Sequence, residues 1–165
     1  METNTLTLQV FSFTNLQKAL NNFLNDLINT YKNLLIRDNK KASGDLINSI
    51  KLGSIEFKNN KYQGSISLAS YWKYVEYGRK PGKFPPPNKI LKWIKIKPII
   101  PRPNNGIKPT EKQLGFLISR KIARDGIKAG NQLSEALDLV WARNEKAISD
   151  AIELDLTTSI DLIKI

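Results

Sequence analysis

The 165-residue sequence predicts an α+β fold: a small antiparallel sheet with a long N-terminal helix packed on it and additional C-terminal helices. Three observations carry that reading. Apolar residues recur at three- and four-residue steps from Leu16 to Leu34; the period falls to two between Lys51 and Leu68; and capped helical stretches return after a proline-rich segment. The length suits one domain with its own core. The expected division is a core over about residues 14–155, with 1–13, 98–109 and 156–165 as arms for assembly, all within a single domain, 1–165.

Each element follows from local chemistry. Leu6, Leu8 and Val10 alternate with Thr7, Gln9 and Phe11, which predicts a short strand up to Phe13. Thr14 and Gln17 have the spacing of a capping box, in which a hydroxyl and an amide satisfy free N–H groups reciprocally. The helix they open runs to about Ile36. Its stripe is Leu16, Leu20, Phe23, Leu27, Tyr31 and Leu34, and Asn21, Asn22, Asn25, Asn29 and Asn33 face away. After a polar loop, Ser43 is the expected N-cap of a single turn ending near Ile50. Lys51–Lys58 and Tyr62–Leu68 then read as a hairpin, turned at Asn59-Asn60 because Asn tolerates left-handed backbone.

The aromatic run Ala69–Gly78 predicts a short helix or irregular strand, followed by a proline-stiffened loop through Pro87. Asn88 is the expected cap of a brief helix to Lys95. Pro98, Pro101, Pro103 and Pro109 exclude a regular helix over 98–109. Thr110 and Gln113 form a second capping box, opening a helix to about Ile127. Leu114, Leu117, Ile118, Lys121 and Ile122 make its stripe, and Gly126 or Gly130 ends it. A last helix is expected from Gln132 to about Leu154. Beyond it the residues favour strand, so 156–165 is expected to dock as a strand on this chain or a neighbour.

Composition narrows the chemistry. The chain holds no Cys and no His, which excludes thiol nucleophiles, zinc fingers, Ser-His-Asp triads and imidazole metal sites. It has 26 basic and 15 acidic residues, a net charge of +11. Lys (20), Ile (20) and Asn (16) are all favoured by AT-rich coding, which accounts for part of the Lys excess. The distribution is more telling: residues 1–36 are neutral, 37–128 carry +15 and 129–165 carry −4. Such polarity suits self-association through opposite charges, or a polyanion partner. No run of 18 apolar residues exists to span a membrane, and the first residues lack the basic start and apolar core of a secretory signal.

One catalytic pattern is present. Asp45 followed by Glu56 and Lys58 matches a metal-dependent nuclease arrangement, in which two carboxylates hold Mg²⁺ and a lysine steadies the attacking water. Glu-x-Lys is common in a Lys-rich chain, and the competing reading is the solvent face of an outer strand. The stretch Gly78–Lys83 lacks P-loop spacing. Tyr71, Trp72, Lys73, Tyr74, Lys92, Trp93 and Lys95 read either as a base-stacking platform or, more commonly, as core that fixes the proline loop.

The middle of the chain resembles a family. Ala42-Ser43-Gly44-Asp45-Leu46-Ile47-Asn48-Ser49-Ile50 is similar to the threonine-glycine-x-leucine-x-x-serine-isoleucine signature of tailed-bacteriophage tail-completion, or neck, proteins. Tyr71-Trp72-Lys73-Tyr74-Val75-Glu76-Tyr77-Gly78 resembles that family's tyrosine and valine-glutamate-aromatic-glycine element, with Phe84-Pro85-Pro86-Pro87 in the place of its proline run. The helix containing Lys112–Ile122 resembles one in longer members. The resemblance covers about residues 14–140, and the order of elements is its most specific feature. Ser43 replaces the usual threonine, Trp72 stands where a small residue is commoner, and 98–109 and the tail after Leu154 have no counterpart.

The resemblance implies a structural virion protein, assembled in the host bacterial cytoplasm. It would form a homo-oligomeric ring at the head–tail junction and contact portal or adaptor proteins, tail proteins and passing genomic DNA. It also implies no cofactor, no metal, no catalytic residue and no enzyme activity. Arg79, Lys80, Lys83, Lys92, Lys95, Lys97 and Arg102 are the expected interface or DNA-facing residues. The alternative is a sequence-independent nucleic-acid-binding protein acting alone, and the third reading is the nuclease of Asp45, Glu56 and Lys58.

Overall fold

A computed structural model describes residues 13–59, 61–97, 99, 101 and 108–163. Its elements in order are α1 (Thr14–Arg37), α2 (Asp45–Ser49), β1 (Lys51–Lys58), β2 (Lys61–Ser67), α3 (Trp72–Glu76), α4 (Pro87–Ile96), α5 (Glu111–Asp125) and α6 (Gln132–Ile163). The fold is α+β, with β1 and β2 as an antiparallel pair. The strand expected before Phe13 and most of the 98–109 loop lie outside the described residues.

The chain divides into two compact units, each built from separated stretches. Unit 1 takes Met1–Thr30, Leu52–Ile66 and Ala136–Ile165; unit 2 takes Tyr31–Lys51 and Ser67–Glu135. Helices α1 and α6 therefore contribute to both.

In unit 1, α1 turns Leu24, Leu27 and Ile28 inward, and α6 answers with fully buried Ala136 and Val140. The hairpin packs on α1 at Gly64, where an added Cβ would stand 2.6 Å from Leu24 Cδ1. Asn59 at the hairpin turn has φ 52°, the left-handed backbone expected of it. Two corrections concern helix ends. Gln17 N–H donates to the Phe13 carbonyl (3.1 Å) rather than to Thr14, so the helix begins one residue earlier than a Thr14 cap requires. The tail is helical to Ile163, not a strand. Thr157, Thr158 and Ser159 each donate a hydroxyl to the carbonyl four residues back at 2.8 Å, and burial of Asp155 and Ser159 holds the helix in place. Packing overrides a weak strand preference.

In unit 2, Tyr31, Leu34 and Leu35 of α1 share a core with Leu46, Ile50 and Ile94. Helix α4 starts at Pro87 rather than after Asn88, because proline has its backbone preset for the first helical position and needs no N–H there. The capping box of α5 forms as expected: Thr110 Oγ1 accepts from Gln113 N–H (3.3 Å), and Gln113 Oε1 accepts from Thr110 N–H (2.8 Å). The buried face of α5 is Gly115 and Ser119, whereas Leu117 is 42% exposed, so the expected stripe is rotated. Close approach to Leu91 selects the small residue: a Cβ at Gly115 would meet Leu91 Cδ2 at 3.0 Å.

Candidate functional site

The two motifs that carry the family resemblance come together in unit 2. In the first, Gly44 rather than Ser43 is the N-cap of α2. Its φ of 90° is left-handed, which glycine adopts without strain, while Ser43 Oγ accepts a 3.4 Å bond from Asp45 N–H. Leu46 and Ile50 enter the core, and Ser49 Oγ both donates to the Leu46 carbonyl (2.7 Å) and accepts from Ala69 N–H (2.9 Å). That last bond ties the first motif to the approach of the second. Leu35, Lys41, Asp45, Tyr71 and Val75 line one small cleft between them. There burial, and then the Asp45 carboxylate, raise the Tyr71 phenol above its usual pKa.

The second motif is organised by Glu76, which is 1% exposed. Its carboxylate accepts from Leu133 N–H (2.8 Å), Ser134 N–H (3.1 Å) and Ser134 Oγ (2.7 Å), so it caps the start of α6. The free N–H groups and positive dipole end of a helix suit a carboxylate there. Its main-chain carbonyl accepts from Gly130 and Asn131 as well, at 2.9 and 3.1 Å. Gly78 follows at φ 69°, packed so closely on the 127–129 backbone that a Cβ would run into the Ile127 carbonyl. The Tyr31 phenol, buried nearby and without a hydrogen-bond partner among the described residues, is pushed up to about 12 by burial and then by Glu76. At the end of α1, Arg37 forms paired bonds to Glu135 (2.8 and 2.9 Å) and Asp38 (2.7 and 3.1 Å). Arg37, aided by Gln132, holds Asp38 down to about 2. These contacts form a joint within unit 2.

The expected basic residues divide by role. Lys80, Lys83, Lys92 and Lys95 are exposed. Arg79 is half-buried: its backbone pairs with Ile127 in both directions at 2.8 Å, and its guanidinium donates to the Lys83 carbonyl. Lys97 donates to the Asn39 carbonyl at 2.6 Å. Both therefore stitch unit 2 together. Arg102 lies outside the described residues. Unit 2 holds twenty basic and six acidic residues, net +14, against six and nine in unit 1, net −3. The block polarity of the sequence is kept on the two compact units.

The aromatic cluster is not simply core. Tyr71, Tyr74 and Tyr77 are 41%, 60% and 66% exposed at successive three-residue steps, beside exposed Lys73 and Lys80. In the nuclease pattern, Asp45 opens α2 in unit 2, while Glu56 and Lys58 lie on β1 in unit 1. All three are exposed, and Glu56 accepts from Ser54 Oγ at 2.7 Å. Among the described residues no group of three or more carboxylates is placed to hold a metal ion. No described helix is long and apolar enough to cross a membrane.

No protein-family model matches the sequence, and no curated protein or solved structure matches it significantly.

Proposed function

We propose that the protein is a structural virion component, a subunit of a homo-oligomeric ring at the head–tail junction of a tailed phage. The observation that carries this reading is the parting of charge within one chain, +14 on unit 2 and −3 on unit 1. Rings are built from heterologous contacts, in which one face of a subunit meets a different face of the next. Opposite charges on two units favour such head-to-tail meeting over self-complementary pairing. The order of the SGDL turn, hairpin, VEYG element, prolines and helix supports the same role. Exposed Lys80, Lys83, Lys92 and Lys95 suit sequence-independent contact with phosphates of passing DNA. Portal or adaptor and tail proteins are the proposed neighbours, without cofactor. Mass spectrometry of purified virions tests the reading: the protein should be retained in a fixed ratio to portal subunits, and its absence from virions overturns it.

A second reading, a nucleic-acid-binding protein acting alone, draws on exposed Tyr71, Tyr74 and Tyr77 within the basic unit. Stacking is worth about 1–3 kcal/mol per base. Titration of single-stranded DNA at two salt concentrations discriminates. Tight binding by a monomer, weakened by Tyr74→Ala, favours this second reading over the ring.

A further inference from the structure

We propose that the apolar pocket between α4 and α5 receives an exposed flank of α6 from a second copy of the chain. The inference rests on the ring reading above and names its contact.

The pocket, about 400 Å³, is lined by Phe84, Pro87, Leu91, Lys112, Phe116 and Ser119, with Gly115 in its floor. That volume lies within the range of sites that hold a ligand or side-chain anchor. Phe84 and Phe116 stand nearly parallel, 28° apart with centroids at 6.0 Å, yet each is more than half exposed. Two rings left open to water mark a surface awaiting cover. Gly115 keeps the floor open, since any Cβ there would meet Leu91. Ser119 is 1% exposed, and its hydroxyl has no hydrogen-bond partner among the described residues. An occupant that brings an acceptor would relieve that unpaired group.

Charge selects the occupant. Helices α4 and α5 carry exposed Lys89, Lys92, Lys95, Lys112, Arg120 and Lys121, none of them ion-paired among the described residues. The matching guest is an apolar helix face edged with acids, and α6 has one. Its inner face buries Val140, Asp155 and Ser159 in unit 1. Flanking that buried face, Ile152, Leu156 and Ile160 recur at four-residue steps, 36%, 40% and 48% exposed. Glu145 and Glu153 lie on that same side, and Ser149 and Glu153 supply acceptor oxygens. Aliphatic anchors at such steps are how a helix enters an apolar groove. Pocket and helix face are different surfaces, so each copy offers one of each, as a ring requires.

Sedimentation velocity of the full chain tests this with three variants: Phe116→Asp in the pocket, Lys112→Glu at its rim, and Leu156→Glu with Ile160→Glu on the helix. Wild type should associate, and more weakly as salt rises. Each variant should lose association by at least about tenfold. An equimolar mixture of Phe116→Asp with the α6 double variant should recover a dimer, because each partner keeps one intact half. Lys112 is exposed in the first turn of α5, where Glu is well tolerated, so that variant reports on the contact even if Phe116→Asp perturbs folding. Variants that assemble like wild type overturn the pocket–helix contact while leaving the ring reading intact. A wild-type chain that stays monomeric up to about millimolar concentration also overturns the contact; retention in virions separately decides the ring.

Discussion

Each unit places one buried carboxylate at the start of a long helix, yet the two are built differently. In unit 1, Asp155 projects from the middle of α6 and accepts from Leu16 N–H (2.8 Å), Asn15 N–H (3.1 Å) and Asn15 Nδ2 (2.7 Å). Burial pushes its carboxyl up, but those donors outweigh burial and leave it below its usual range. In unit 2, Glu76 ends a five-residue helix and caps α6 with its side chain while its carbonyl anchors Gly130 and Asn131. Asp155 stands on a scaffold that is helical without it. Glu76 sits beside a turn held by backbone bonds, Arg79 to Ile127 and its own carbonyl to Gly130 and Asn131, and its side chain secures Leu133 and Ser134 where that turn enters α6. Similar chemistry therefore carries different weight.

Glu76→Ala is the strongest way to break that comparison. It removes three bonds to a buried helix start and should cost about 3 kcal/mol, read from urea unfolding by circular dichroism. Hydrogen exchange should quicken at Gly130–Ser134 and leave Asn15 and Leu16 protected; uniform loss across both sites would mean that the two caps are one cooperative system. Gly78→Ala should follow at roughly 2–3 kcal/mol, from left-handed strain and collision with the Ile127 carbonyl.

Asp155→Asn should cost about 1–2 kcal/mol at neutral pH, in the range of a lost cap. Its pKa is lowered on folding, so its stabilisation is complete above the ordinary Asp value of 3.8 and fades as pH falls through the lower folded one. The gap between wild type and Asp155→Asn should thus narrow as pH falls below 3.8, and a gap that does not narrow would contradict the assignment. The local box of α5 supplies a calibrated reference: Thr110→Ala should cost about 1 kcal/mol in the same assay. Tyr31→Phe is the smallest change. It removes a buried hydroxyl without a partner among the described residues and should alter stability by no more than about 0.5 kcal/mol in either direction.

Legibility in the sequence followed the distance between interacting residues. The Thr110–Gln113 box forms as read, because both partners lie within one helical turn. The hairpin also stands where period two and Asn59 put it. The cap at Thr14 was misplaced for the opposite reason: the acid that takes the first N–H groups of α1 is Asp155, 139 residues from Leu16. Glu76 was visible as part of a motif, but its role was not, since its partners are 57 and 58 residues away. Among the candidate cations, Arg79 and Lys97 proved to be stitches bonded to backbone carbonyls, which charge counting cannot distinguish from exposed lysines.

The sequence by itself determined the fold class, the helix and hairpin periods, and the polarity of charge, because those depend on residue type and local spacing. Tertiary structure alone decided which acids cap which helices, that the tail stays helical, and how α5 is rotated about Gly115. It also carried the block pattern of charge along the chain onto separate compact units, as +14 and −3. Those outcomes depend on burial and on partners far apart in the chain, and burial is a property of the packed whole.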